Sequence, residues 1–498
     1  MSSNSRFSNI AALGVGITYS SELHELIVSN PTLFPVVEIE PQTLFMETRK
    51  GAAPFRVLDE VFERLHALPG KKLIHSVGAP IGGTVAPDAD QIALLKNVVD
   101  LFKPPYLSEH LSFNKVHGFQ TGFFLPPRQT PAGVQKAVAG IKKLQDALQL
   151  PLAVETGVNY LRLRPDEMED GEFVAAVAEQ ADCGILLDLH NLFTNQQNGR
   201  QSIGHFLQQI PKDRVLEVHL AGGFEMDGYY LDSHSGPIPE LLLEISGSVI
   251  RQLTNLKAII FEIFPAYLSL TGLDLIKDEV GKIHQLWNIR GSQPTPSNSI
   301  PYSDKKAVVQ WEKALSPEQW EQTVGGLTVG QQPHLEDLFG NLKEDPGIEI
   351  IQKLVKEFRA SMLVNVMPLT CRMMMLTVKV EGFLTVLNDY WSKHTPQLYA
   401  SSEALQFAAY LEKINLRVPA LNRILAYERA VVETLLDDET RVVKFHVDPI
   451  PLLSALADGK LPDEDPEPGD FEVEITADLY ETLSATGQYM TPATAKFH

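Results

Sequence analysis

Cysteine is nearly absent. Cys183 and Cys371 are the only 2 in 498 residues, too few for a disulfide framework, and a reducing compartment is expected. No run of about 18 apolar residues occurs, so no segment reads as a membrane span. Residues 1–7 carry one basic side chain and no apolar core, so no secretory signal is expected. Positive charge is scarce as well. Lys and Arg number 42 against 63 Asp and Glu, a net charge of -21. That field repels phosphate backbones and argues against nucleic acid as a partner. No dinucleotide fingerprint is present, because no third glycine opens a helix after Gly14-Val15-Gly16. What is there is 44% hydrophobic and 21% charged residues, enough apolar side chains for a packed core. The composition suggests an acidic protein of the cytoplasm, with no membrane partner.

The first 285 residues have a regular rhythm. Short β-rich runs recur at Ala11–Tyr19, Val36–Pro41, Lys72–Gly78, Tyr106–Phe113, Leu152–Gly157, Gly184–Asn191, Val215–Gly222 and Ala258–Pro265. Segments of helical periodicity separate them, at Phe55–Leu68, Asp88–Phe102, Ala132–Leu148, Asp166–Gln180, Ile203–Ile210 and Glu240–Leu253. Alternating strands and helices mean βαβ units and a parallel sheet. Eight such units in under 300 residues fit an α/β fold of the TIM (β/α)8 type better than an open sheet. The stretch Gly291–Ser303 reads as a linker. Beyond it the pattern turns helical, with Ile348–Leu363, Ala404–Leu411 and Ala420–Leu436. Short strands at Arg441–His446 and Phe471–Ile475 follow, and the acidic stretch Pro462–Asp470 reads as a solvated loop. The expected organisation is a barrel over 1–288, a linker over 289–305 and a smaller, mostly helical α+β domain over 306–498.

Acidic residues and histidines cluster near the C-terminal ends of the apolar runs. His75, His110, Glu155, Asp188, His219 and Glu262 each occupy such a place. In a parallel barrel those ends converge on one mouth, where barrel enzymes build their sites. Burying so many ionisable groups together is costly unless they are paired or bind metal. Imidazoles with carboxylates suit iron, zinc, manganese or cobalt, and a shared carboxylate such as Glu155 can bridge two metals. His190 follows Asp188 at i+2, and Asp232 and His234 repeat that spacing in the loop after the seventh run. Asn159 is a further candidate ligand, and Asn191 a ligand or an orienter of an imidazole. Glu38, Glu40 and Glu217 read as general bases or ion-pair partners. Glu109 is expected to point away from His110, and His117 to sit on a solvent loop. Cys371 reads as buried packing.

At these residues the chain resembles a known family. The strings GVGITY, HSVGAPIGG, LSEHLSF, AVETGVNYL, LLDLHNLFTN, VHLAGG and DSHSGPIP are similar to those of the DUF692 family. These are the multinuclear non-heme iron-dependent oxidases, a group that includes the methanobactin biosynthesis oxidase. The resemblance covers about residues 9–285, in order along most of the candidate strands. It implies a TIM barrel that holds two or three irons, Fe2+ or Fe3+, and uses O2 as co-substrate. The reaction implied is modification of cysteine, or of other residues, in a ribosomally made precursor peptide. Carried over residue by residue, the metal ligands implied are His75, His110, Glu155, Asn159, Asp188, His219, Asp232, His234 and Glu262. His190 stands where many members carry Asn and still suits a ligand. Ser235-Gly236 departs from a more acidic run in the family. Glu155, Asp232 and His234 are expected to take part in catalysis.

The C-terminal half resembles, more weakly, the small partner proteins that accompany these oxidases. AYERAVVETL, VVKFHVDPIPLLSALADGKLP and FEVEI carry that resemblance. It implies a fused module that binds the leader of the precursor and presents its core to the barrel. A short linker would give that module an effective concentration on the order of millimolar. Two other functions fit the residues. One is a divalent-metal hydrolase or isomerase of the xylose-isomerase-like barrel type. The other is a non-catalytic peptide-binding scaffold.

Overall fold

The computed structural model describes residues 7–41, 45–49, 54–57, 59–292, 315–331, 342–414, 416–463, 467–477 and 496–497. Most of the expected linker, from 293 onward, lies outside them, as do residues 464–466 of the acidic loop. The chain divides into two compact units. The first comprises 1–43, 64–117 and 124–351, and the second 44–63, 118–123 and 352–498. This division differs from the boundary expected at 288–306, because the described residues 315–331 and 342–351 fall in the same unit as the barrel.

The first unit is a closed barrel of parallel strands. Its staves are β1 (Gly14–Thr18), β2 (Val36–Ile39), β3 (Lys71–Ser76), β4 (Leu107–His110), β5 (Leu152–Glu155), β6 (Gly184–Asp188), β7 (Val215–Ala221) and β8 (Ala258–Glu262). Each pairs with its neighbours in sequence, and β8 closes onto β1. These are the eight runs read from sequence. Their residues are buried on both faces, which is why they read as continuous apolar stretches rather than alternating ones. One end of the interior is filled by Phe7, Val36, Leu73, Tyr106, Leu186 and Ile260. The charged residues occupy the other end.

Two local readings are corrected. The run Gly184–Asn191 is not all strand. It ends at Asp188, and Leu189–Gln197 is a helix. Asp188 Oδ1 accepts from the Asn191 amide at 2.8 Å and caps that helix, the usual work of a short acidic side chain at a helix start. His190 is therefore placed by a helix turn and not by strand alternation. The run Phe55–Leu68 is also divided, into a short strand Phe55–Val57 and the helix Asp59–Ala67.

The second unit is built on helices Pro368–Lys393, Ala400–Ile414, Leu421–Asp437 and Pro449–Ala457, with the C-terminal part of Pro346–Val366. Strands Arg441–Val447 and Pro468–Ile475 pair antiparallel, and Lys496–Phe497 adds to the second of them. Its core gathers Cys371, Phe383, Tyr390, Phe407, Leu425 and Phe445. The excursion at 44–63 is tied in by Glu47, whose carboxylate accepts from Ser401 and Ser402 at 2.7 and 2.6 Å. Among the described residues no single helix is long and apolar enough to cross a membrane.

Candidate metal centre

The barrel register brings the site together. His110 on β4 pairs with Glu155 on β5, and Asp188 on β6 with His219 on β7. Ala221 on β7 pairs with Glu262 on β8. Five overlapping groups result among the described residues, each with potential ligand atoms within 4.8 Å of one another: His75–His110–Glu155, Glu155–Asp188–His219, Asp188–His234–Glu262, His190–Asp232–His234 and, deeper, Glu38–Glu217–His219. Glu155 Oε2 lies 2.6 Å from His110 Nδ1 and 3.3 Å from His75 Nε2. His219 Nδ1 lies 3.2 Å from Glu262 Oε2. Asp232 Oδ1 lies 2.8 Å from His234 Nε2 and 3.0 Å from His190 Nδ1.

The loop after β7 is built to deliver Asp232 and His234. A hairpin of Phe224–Met226 and Tyr229–Leu231 precedes them. The Ser235 amide donates to Gly222 O at 2.9 Å, and the Phe264 amide to His234 O at 3.0 Å. His234 is held at φ 44°, a conformation that non-glycine residues seldom adopt and that recurs at functional sites. Two aromatic rings cover the imidazoles. Phe124 stacks on His110 with centroids 4.3 Å apart, and Phe264 lies 4.6 Å from His234.

Ionisation follows from burial and contact. Burial opposes the charged imidazole of His75, but the Glu155 carboxylate outweighs it and raises the group to about 10. Burial likewise opposes charge on His234, and Asp232 and Glu262 raise it to about 10. Burial would raise Glu155 and Glu262, yet the facing imidazoles win. His110 and His75 hold Glu155 well below the ordinary carboxyl value, and His219 and His234 bring Glu262 to about 2. Burial and the Glu155 and Glu262 carboxylates push Asp188 well above its ordinary value. Two carboxylates and an imidazole crowded in this way suit a divalent cation better than shared protons.

The donor set fits such ions. Glu155 Oε2, Asp188 Oδ2, His190 Nε2, His234 Nε2 and both ring nitrogens of His219 are buried and make no hydrogen bond of proper geometry. His190 Nε2 lies against Gly223, while its Nδ1 meets Asp232; the others face neighbouring acidic or imidazole groups. Buried polar atoms left in this state are rare in folded proteins unless an ion or water takes them. Around them stand orienting groups. Ser108 Oγ meets His75 Nδ1 at 2.9 Å. Asn191 Nδ2 donates to Glu155 Oε1 at 3.3 Å.

Of the residues named from sequence, His75, His110, Glu155, Asp188, His190, His219, Asp232, His234 and Glu262 converge. Asn159 does not join these groups. Its side-chain oxygen accepts from the Leu161 amide at 3.1 Å. Glu38 and Glu217 lie deeper, at 3.3 and 3.9 Å from His219 Nε2. Burial and Glu38 push Glu217 up to about 7. Glu109 turns away from His110, as expected, and accepts from Ser76 Oγ at 2.5 Å and the Ala79 amide at 3.1 Å. Ser108, Phe124, Tyr160 and Phe264 were not singled out from sequence. Only Ser108 carried a signal, its i, i+2 relation to His110.

The chain is similar to known proteins over its barrel region. The chain is 33% identical over 180 residues to a UPF0276 protein of Chromobacterium violaceum, covering 36% of this chain and 65% of that protein. It is 30% identical over 190 residues to one from Caulobacter vibrioides, covering 38% and 66%. A third, from Streptomyces avermitilis, is 27% identical over 256 residues and covers 50% of each. The chain thus spans between half and two-thirds of the length of these relatives. Among solved structures, a xylose isomerase domain containing protein from Salmonella typhimurium matches at 13% identity and a TM-score of 0.39, over 55% of this chain and 97% of that one. A D-psicose 3-epimerase from Clostridium cellulolyticum matches at 10% identity and a TM-score of 0.35, over 56% and 99%. Likeness at that level carries no argument about the reaction. The family model described as RiPP precursor modification enzyme MbnB/TglH/ChrH matches residues 14–286, the whole barrel from β1 past β8, and the chain belongs to that family.

Proposed function

We propose that this chain is an iron- and O2-dependent oxidase that modifies a ribosomally synthesised precursor peptide, with cysteine as its foremost target. The observation that carries this reading is the set of buried, mutually facing ligand atoms at the barrel mouth. His75, His110 and Glu155 would hold one ion. Glu155, Asp188, His219 and Glu262 would hold a second, and His190, Asp232 and His234 a third. Glu155 belongs to two of the groups, the arrangement a bridged cluster needs. Bound iron would supply redox chemistry with dioxygen and would acidify a substrate thiol.

The chain's own residues do the rest. Ser108 and Asn191 fix the orientation of His75 and Glu155. Phe124 and Phe264 shield imidazole faces from water. The neutral imidazole and the ionised carboxylate are the forms a cation requires, so binding releases the protons that His75 and His234 hold near neutral pH.

The second unit is proposed as the peptide-docking module. The partner-like strings fall on consecutive elements of it, the helix Leu421–Asp437, the strand Arg441–Val447, the helix Pro449–Ala457 and the strand Pro468–Ile475. Elemental analysis of anaerobically purified protein, with Mössbauer spectroscopy on an iron-57 sample, tests the metal. Oxygen uptake with candidate precursor peptides tests the reaction. Iron and peptide-dependent uptake are expected. Stoichiometric zinc or manganese under iron-replete growth would overturn the oxidase and favour a hydrolase or isomerase.

A further inference from the structure

The family match ends at residue 286, but the first unit continues to residue 351. Residues 315–331 and 342–351 hold two sets of contacts with loops at the barrel mouth. The helix Pro317–Thr328 presents Glu321, whose carboxylate accepts from the Thr84 amide at 2.9 and 3.0 Å and from Thr84 Oγ1 at 2.5 Å. Thr84 lies in the loop that follows β3 and its His75.

The second set is more consequential. Asp345 is buried, and its Oδ2 accepts from the Arg162 amide at 3.1 Å and from Arg164 Nη2 at 2.6 Å. Two residues on, Gly347 lies so close to the loop after β5 that a Cβ there would stand 2.2 Å from Tyr160 O. The same tyrosine reaches the site. Its hydroxyl accepts from the Asp232 amide at 3.2 Å. Asp232 is the carboxylate that faces both His190 and His234. A continuous run of contacts therefore joins Asp345 to this ligand group through one loop.

We propose that the segments 315–331 and 342–351 are a clasp outside the family's barrel that fixes the loop after β5 and, through Tyr160, sets Asp232 for the third metal position. Tyr160 and Asp345 are then positioning residues. Loop backbone needs such anchors, because no sheet or helix ladder holds it. Partners one layer removed from a metal typically change its affinity about 10–100-fold when lost.

The inference rests on the metal reading above, so its test includes a variant of each kind. The metal-stripped full chain is titrated with Co2+ and followed by visible absorption. His234→Ala identifies the step that belongs to the His190–Asp232–His234 group. Tyr160→Phe and Asp345→Asn are expected to weaken that step about 10–100-fold and to leave the other steps near wild type; Tyr160→Phe keeps the thermal midpoint, whereas Asp345→Asn lowers it because Arg164 loses its buried partner. If both titrate as wild type while His234→Ala loses the step, the clasp is overturned. If both lose every step together, Tyr160 and Asp345 are merely structural and the proposal also falls. If His234→Ala itself titrates as wild type, the metal reading of this group fails, and the clasp's role with it.

Discussion

His110 and Glu155 are register partners on adjacent strands, and their side chains meet at 2.6 Å between Nδ1 and Oε2. The chain between them runs through the strands Phe113–Val116 and Phe119–Leu125 and the helix Pro131–Leu148. Glu155 also belongs to the group with Asp188 and His219. Removing its charge therefore affects two ion positions at once. Glu155→Gln is expected to lower metal affinity by more than about 100-fold, beyond what an orienting residue costs. Metal content after dialysis against a chelator checks this. Retention at the wild-type level would exclude Glu155 as a ligand.

Ser108 tests the layer behind the ligands. Its hydroxyl faces His75 Nδ1 at 2.9 Å and leaves Nε2 turned toward His110 and Glu155. Ser108→Ala leaves the imidazole free to rotate. Metal affinity is expected to drop about 10–100-fold, with little change in the unfolding midpoint. Competition with a chelator of known affinity gives the number.

Gly223 tests packing beneath the loop. A Cβ at this position would lie 2.3 Å from Leu231 O and 2.8 Å from His190 Nε2. Neither neighbour can yield without moving the hairpin or the imidazole. Gly223→Ala is expected to cost about 1–3 kcal/mol, the usual range for overpacking, and to weaken the metal step of the His190 group. Thermal unfolding and Co2+ titration of the same preparation read both effects.

The second unit has its own buried ion pair. Arg359 Nε donates to Glu403 Oε1 at 2.7 Å, with both side chains almost fully buried. Tyr390 adds a donor to the same carboxylate at 3.2 Å. Glu403→Ala strands the guanidinium, and the expected loss is about 3–5 kcal/mol. Urea denaturation measures it. Replacing Arg359 and Glu403 together by apolar residues should recover most of the loss.

Glu428 supplies a pH dependence away from the metal groups. Burial pushes its carboxyl from 4.5 up to about 7, although it accepts from the Leu369 and Thr370 amides at 2.7 Å each. A carboxyl raised on folding contributes stability that is fully present below its unfolded value. That contribution is lost as pH rises through the folded value. The window is therefore pH 4.5 to about 7. Glu428→Gln stays neutral throughout. The urea midpoint of wild type relative to this variant is expected to fall across that window, and a constant difference would refute it.

Much of the barrel was legible because parallel strands buried on both faces leave continuous apolar runs, and all eight staves coincide with the runs read, β3 beginning one residue earlier. The candidate ligands were legible for a related reason. His75, His110, Glu155, Asp188, His219 and Glu262 are ionisable residues at or near the ends of apolar strands, which is unusual without a use for them. His190 was found for the wrong local reason, since a helix begun by the Asp188 cap places it. Asn159 was legible as a polar residue near the site, but its amide oxygen serves the Leu161 backbone. The boundary at 288–306 followed a Ser- and Pro-rich stretch, yet composition records local backbone preference and not which core a later helix joins. Sequence by itself determined the barrel, its charged mouth and the family, because periodicity and residue type are local properties. Only the tertiary structure decided that Tyr160 and Asp345 stand behind Asp232. Contacts between residues more than 180 positions apart depend on loop paths that no local pattern encodes.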